Sequence, residues 1–127
     1  MLVVDDYAAT LESIRRLLQT DHQVYEASSG EDAVRIAIRE KPDVALIDYR
    51  LPGMNGVQTA AAIRQAGLDM PWVLFSGLVN DRVTSEAAAL GAVNVVWSPF
   101  DPREIIRDVL KRRGPRPTSK MARNTVR

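Results

Sequence analysis

Five short apolar runs alternate with five amphipathic stretches along this chain, and that alternation confines it to a sheet of parallel strands joined by helices. The runs lie at residues 2–5, 23–27, 43–48, 72–76 and 93–97 and are mostly rich in Val, Leu and Ile, as strands buried on both faces should be. Leu11, Ile14, Leu17 and Leu18 share one helical face, Val34, Ala37 and Ile38 a second, and Ile105, Ile106, Val109 and Leu110 a third. The punctuation agrees. Ser28-Ser29-Gly30-Glu31 fits a capping box, and Asp101-Pro102-Arg103-Glu104 places an N-cap, a first-turn proline and an acid in order. Gly67 and Gly91 stand where left-handed residues end helices, and Pro42 and Pro71 precede strands.

A length of 127 residues suits one domain with a real core. With no cysteine, disulfides and thiolate metal sites are excluded. No apolar run reaches the roughly 20 residues that span a bilayer, and Met1 leads into a short strand instead of a signal-like segment, so a soluble, cytoplasmic protein is expected. The first strand is brief, about 13 Å at strand rise, as an abbreviated strand or a clipped N-terminus would be. Of the 17 basic residues, seven lie in 111–127 with no acid among them, which leaves ten against 16 acids in residues 1–110. The body is therefore acidic, and nucleic acid is not its expected partner. Residues 114–127 have few large apolar side chains and two prolines, and are expected to form a disordered basic tail or linker.

In open parallel sheets, ligands bind beyond the carboxyl ends of the strands. Asp5-Asp6 ends the first run, Asp48 the third and Ser76-Gly77 the fourth, so all would share one rim. Carboxylates gathered in this way repel one another unless a hard cation holds them, and an oxygen-only set without His or Cys points to Mg2+. A carboxylate beside that ion can act as a nucleophile toward phosphorus, and Asp48 is the best placed to do so. Taken singly, each residue has a plainer role: Asp6 as a helix cap, Asp48 as a polar strand end, Ser76-Gly77 as a turn. Their joint fall on one rim is harder to dismiss.

The segments VVDD, IDYRLPGMNG, LFSG and WSPF are similar to the signature segments of response-regulator receiver domains of two-component signalling. The resemblance covers residues 1 to about 113, which it makes a single receiver domain. It implies a flavodoxin-like (βα)5 doubly wound sheet in strand order 2-1-3-4-5. It also implies that Asp48 takes a phosphoryl group from a phosphohistidine on a histidine kinase or histidine phosphotransfer protein. Asp6, Asp48 and the backbone carbonyl of Arg50 would bind magnesium directly, and Asp5 mainly through water. Ser76 matches the switch hydroxyl that bonds the phosphoryl group, and Gly77 the small residue whose backbone N–H faces it. An output domain or a downstream protein would read the change.

Two positions depart from that pattern. Receivers usually carry Lys-Pro where this chain has Ser98-Pro99, and the loss of that cation should cost the phosphorylated form about 1.5–3 kcal/mol. The usual switch aromatic, three residues earlier, is Val95. Arg50 could replace the charge in part. In receivers the bond before this proline is commonly cis. The departures keep a second reading open, a degenerate receiver that works as a protein-interaction module without phosphorylation. A phosphatase with an aspartyl nucleophile would want an acid at position 50, and a flavin-binding protein a phosphate loop where DYAAT stands, so neither enzyme nor flavoprotein is expected.

Overall fold

The computed structural model describes residues 1–77 and 80–113. Among them, in chain order, are β1 (Leu2–Val4), α1 (Ala8–Leu18), β2 (Tyr25–Ala27), α2 (Gly30–Glu40), β3 (Ala45–Asp48), α3 (Gly56–Gln65), β4 (Trp72–Ser76), α4 (Asp81–Ala89), β5 (Asn94–Trp97) and α5 (Pro102–Arg113). The strands are parallel and ordered β2-β1-β3-β4-β5, the flavodoxin-like arrangement expected. The tail predicted for residues 114–127 lies outside the described residues.

Strand alternation divides the core in two. Leu2, Val4, Ala45, Ile47 and Leu74 face α2, α3 and α4, whereas Val3, Leu46, Val73 and Phe75 face α1 and α5. Each large aliphatic side chain buried here contributes about 1.5–3 kcal/mol relative to exposure. Phe75 also meets Phe100, with ring centroids 5.3 Å apart and planes tilted by 57°.

Two of the predicted helical faces are narrower than the sequence suggests. On α1 the buried line is Leu11, Ile14 and Leu18, and Leu17 is 40% exposed. On α2 the line is Ala33 and Ala37, and Ile38 is 51% exposed. Each outlier is one residue, or about 100°, away from a buried neighbour, and the packed seam is narrower than that turn. The capping box also moves. Ser29 caps α2 by accepting from the Asp32 amide without a reciprocal bond, and the full box lies at α3, between Asn55 and Gln58. As predicted, Gly67 and Gly91 adopt φ of 90° and 84°; Lys41 also takes a left-handed φ of 48° at the end of α2.

Backbone pairing continues past the strand ends, and this sets the rim. The Asp5 amide donates to Ala27 O at 3.1 Å, Tyr49 to Phe75 O at 2.9 Å and Ser98 to Ser76 O at 2.9 Å. The Ser98–Pro99 bond is cis, as expected.

Candidate functional site

The rim brings together the carboxylates that the sequence places at separate strand ends. Asp5, Asp6 and Asp48 each present an oxygen within 4.8 Å of the others. They do so from unequal surroundings: Asp5 is buried, Asp48 half-buried and Asp6 exposed. Asp5 is fixed by its Oδ1, which accepts from the Tyr7 amide at 2.9 Å as the chain turns into α1. N-cap geometry at that helix belongs to Tyr7 and involves no side-chain bond, so Asp6 is not the cap.

Crowding of three acids has an electrostatic consequence. Burial, with the Asp5 charge next and Asp6 after it, pushes the Asp48 carboxyl up to about 7, against only one weak opposing bond from the Arg50 amide at 3.4 Å. Asp5 is raised in the same direction, chiefly by burial and then by Asp6, with the Tyr7 amide opposing. The site is therefore short of positive charge.

The loop after Asp48 is held from below. The Gly56 amide donates to Tyr49 O at 2.8 Å, and a Cβ on Gly56 would collide with the Asp48 carbonyl and press on Leu74 at 2.9 Å. The Asn55–Gln58 box then starts α3 with both bonds made, at 2.8 and 2.9 Å. Sequence reading missed this box, although the Asn-x-x-Gln spacing was present to find it.

Above the acids lies an open cleft of about 690 Å³ whose wall includes Gly77 and Ser98 as well as Arg50. Arg50 is the one basic residue among the described residues that line it, and its side chain is exposed. Ser76 is buried at the end of β4, in register with Trp97 of β5. Val95 is half-buried against the core on the α4 side, and Trp97 is 67% exposed. Thus Asp5, Asp6, Asp48, Gly77 and Ser98 line one cleft, and Ser76 is anchored at its edge by the Ser98 backbone bond.

A family model for the response regulator receiver domain matches residues 1–110. This chain is a receiver domain of the response-regulator family. It is 30% identical over 121 residues to the phosphate regulon transcriptional regulatory protein PhoB of Pseudomonas aeruginosa, covering 91% of this chain and 53% of that one. The receiver domain of the response regulator NarL from Mycobacterium tuberculosis is 33% identical, with a TM-score of 0.78 and coverage of 90% of this chain and 95% of that one. A CheY-like receiver from Methanospirillum hungatei shares the fold at a TM-score of 0.80, with 22% identity over 87% of this chain and 90% of that one. The receiver spans about half the length of the curated relatives it matches.

Receiver domains bind Mg2+ at an acidic cluster, and the cluster here suits such an ion. Its donors are all oxygen and lie within 4.8 Å of one another, close enough to share one hydrated Mg2+ either directly or through a bound water. Among the described residues no helix is long and apolar enough to cross a membrane.

Proposed function

We infer that this receiver accepts a phosphoryl group on Asp48 from the phosphohistidine of a histidine kinase or histidine phosphotransfer protein. The observation that carries the reading is the three-carboxylate cluster on one rim, with the acid of β3 standing at the mouth of an open cleft. In the transfer, an Asp48 carboxylate oxygen forms a bond to phosphorus as the P–N bond to the donor imidazole breaks, and the departing nitrogen keeps the electron pair. Bound Mg2+ would screen the acids from the incoming phosphoryl oxygens and offset charge that builds on them.

Asp6, Asp48 and the Arg50 carbonyl are the proposed direct ligands, with Asp5 acting through water. Asp5 is suited to that supporting part because its own oxygen is already engaged by the Tyr7 amide. The Gly77 amide and the Ser76 hydroxyl would receive the phosphoryl oxygens from the β4 side. Ser98 can contribute one hydrogen bond and no charge, so the adduct relies on the metal more heavily than a lysine-bearing site would. Signalling then runs to an output domain or downstream protein.

Intact-mass spectrometry after incubation with a small phosphodonor, with and without Mg2+, tests this. One phosphoryl adduct that requires the ion and is absent from Asp48→Asn is the expected result. Failure of the wild type under conditions that modify a lysine-bearing receiver would overturn it. Ser98 and the half-buried Val95 would then favour the second reading, a docking module read without phosphorylation.

A further inference from the structure

The acidic cleft gathers anions and holds little to answer them. Asp5, Asp6 and Asp48 meet there, Ser98 brings a hydroxyl without charge, and among the described residues no ion pair reaches any of the three acids. Arg50, the one basic residue among the described residues of the lining, is exposed. The missing charge is present elsewhere in the chain. Residues 111–127 hold seven Lys or Arg and no acid, so the body is anionic and the segment after α5 cationic. A guanidinium is the better match for gathered carboxylates, since its planar fork donates two bonds at once.

That segment is long enough to reach the cleft. Pro102, the first residue of α5, lines a groove with Tyr7, Thr10 and Ser98 of the cleft wall, whereas Lys111, near the other end, lines one with Asp21 and His22, which follow α1. The helix therefore starts at the rim and runs away from it for about 18 Å. Ser98 is four residues before Pro102, at most about 14 Å, so no more than about 32 Å separates Arg113 from the cleft. Ten residues of extended chain span about 33 Å and fourteen about 46 Å, which brings Arg123 and Arg127 within reach. A group tethered in this way is present at an effective concentration in the millimolar range. The cleft, open and of about 690 Å³, has room for a guanidinium and the methylenes that carry it.

We propose that residues 114–127 fold back to the rim and lay Arg123 or Arg127 in the acidic cleft, where the guanidinium offsets the three carboxylates until Mg2+ displaces it. The chain itself then occupies the cleft when the ion is scarce. Displacement rests on the reading of the cleft as the Mg2+ site; occupation in the absence of metal does not. Every contact is a charge pair at an open surface, so the seat is weak and sensitive to salt.

Paramagnetic broadening in the full chain tests the proposal. The sequence has no cysteine, so Asn124→Cys carries a single nitroxide beside Arg123. In EDTA at about 20 mM salt, the label should broaden the amide signals of Asp6, Tyr49 and Arg50 and spare those of Ala45 and Trp72, which begin β3 and β4. Saturating Mg2+, or about 500 mM salt, should restore them. A charge-matched comparison gives a second readout. Arg123→Gln with Arg127→Gln removes the cations that reach the cleft and should tighten Mg2+ about threefold by calorimetry at about 0.1 M salt, what one or two exposed ion pairs supply. Arg112→Gln with Arg113→Gln removes the same charge from the last turn of α5, about 15 Å or more along the helix from the rim, and should leave Mg2+ binding unchanged. Absence of broadening in EDTA overturns the proposal, as does broadening that Mg2+ leaves in place or equal tightening by both pairs of substitutions. So does broadening of an isotope-labelled chain by the nitroxide of a second copy, which would put the contact between molecules. If the chain binds no Mg2+, the metal-site reading fails by itself, and the spectra in EDTA at low and high salt still decide whether the segment occupies the cleft. No phosphodonor is present, so failure of the phosphoacceptor reading is separately visible.

Discussion

The β1–β3 pair of this receiver and its β5 edge are built to different standards. β1 is buried throughout, and β3 is buried up to Asp48 at its rim. Their loops are fixed by the Asp5–Tyr7 turn, the Gly56 approach and the Asn55–Gln58 box. β5 is only half-buried and ends in an exposed Trp97; of the two departures from the receiver pattern, Val95 lies on it and Ser98 directly after it. The difference separates acceptance from relay. Asp48, proposed to take the phosphoryl group, ends a strand buried along its length, whereas Val95 and Ser98, which would report it, lie on or just after a half-buried edge strand.

The largest expected effect tests the first half. Asp48→Asn should reduce the phosphoryl adduct from a dominant species to none by intact mass, and a persisting adduct would move the acceptor elsewhere on the rim. Next comes Gly56→Ala. Its methyl would strike the Asp48 carbonyl, a backbone atom that cannot swing away, so urea denaturation should show a loss of about 2–3 kcal/mol. A loss below about 0.5 kcal/mol would show that the loop is not held as tightly as the geometry implies.

These two positions also show what could be read from the chain. Parallel strands buried on both faces are continuous apolar runs, so their order of appearance and their polar ends were legible, and with them Asp5, Asp6, Asp48 and Ser76. Gly56 was legible only as a loop residue, because what excludes a side chain there is the Asp48 carbonyl folded back over it and Leu74, 18 positions along the chain. Leu17 and Ile38 looked like core because periodicity cannot report how wide the packed seam is.

A third prediction asks whether the edge is deficient in charge or merely different. Ser98→Lys should raise the ratio of phosphorylated to unphosphorylated chain, at a fixed donor concentration, by about tenfold to a hundredfold, the equivalent of about 1.5–3 kcal/mol for a charge-assisted contact. No increase would mean that Arg50 or the metal already supplies that charge.

The same deficit predicts how stability varies with pH. Asp48 is raised from the usual 3.8 to about 7 in the folded chain, so between those values the folded state binds more protons than the unfolded one. Without metal, stability should therefore rise as pH falls from 8 to 5, by about 2 kcal/mol once solvent screening of a half-exposed carboxyl is allowed for. Asp5 acts in the same direction. Mg2+ held by the ionised acids, as proposed, should reverse the slope, stabilising more at pH 8 than at pH 5. Urea midpoints measured in EDTA and in Mg2+ check both; a flat EDTA profile would show that Asp48 is neither desolvated nor repelled by Asp5 as its surroundings imply.

The smallest expected effect belongs to Trp97, and it sharpens the comparison most directly. An indole buried in a core would cost about 3–5 kcal/mol to truncate, but this ring is 67% exposed at the end of an edge strand. Trp97→Ala should then change the urea midpoint by the equivalent of about 0.5 kcal/mol or less, and should leave the extent of phosphorylation unaltered, since Trp97 does not line the acidic cleft. A loss of about 2 kcal/mol or more would mean that the ring is covered in solution and that β5 is packed as firmly as β3. The division between an accepting half and a relaying edge would then have to rest on Ser98 and Val95 alone.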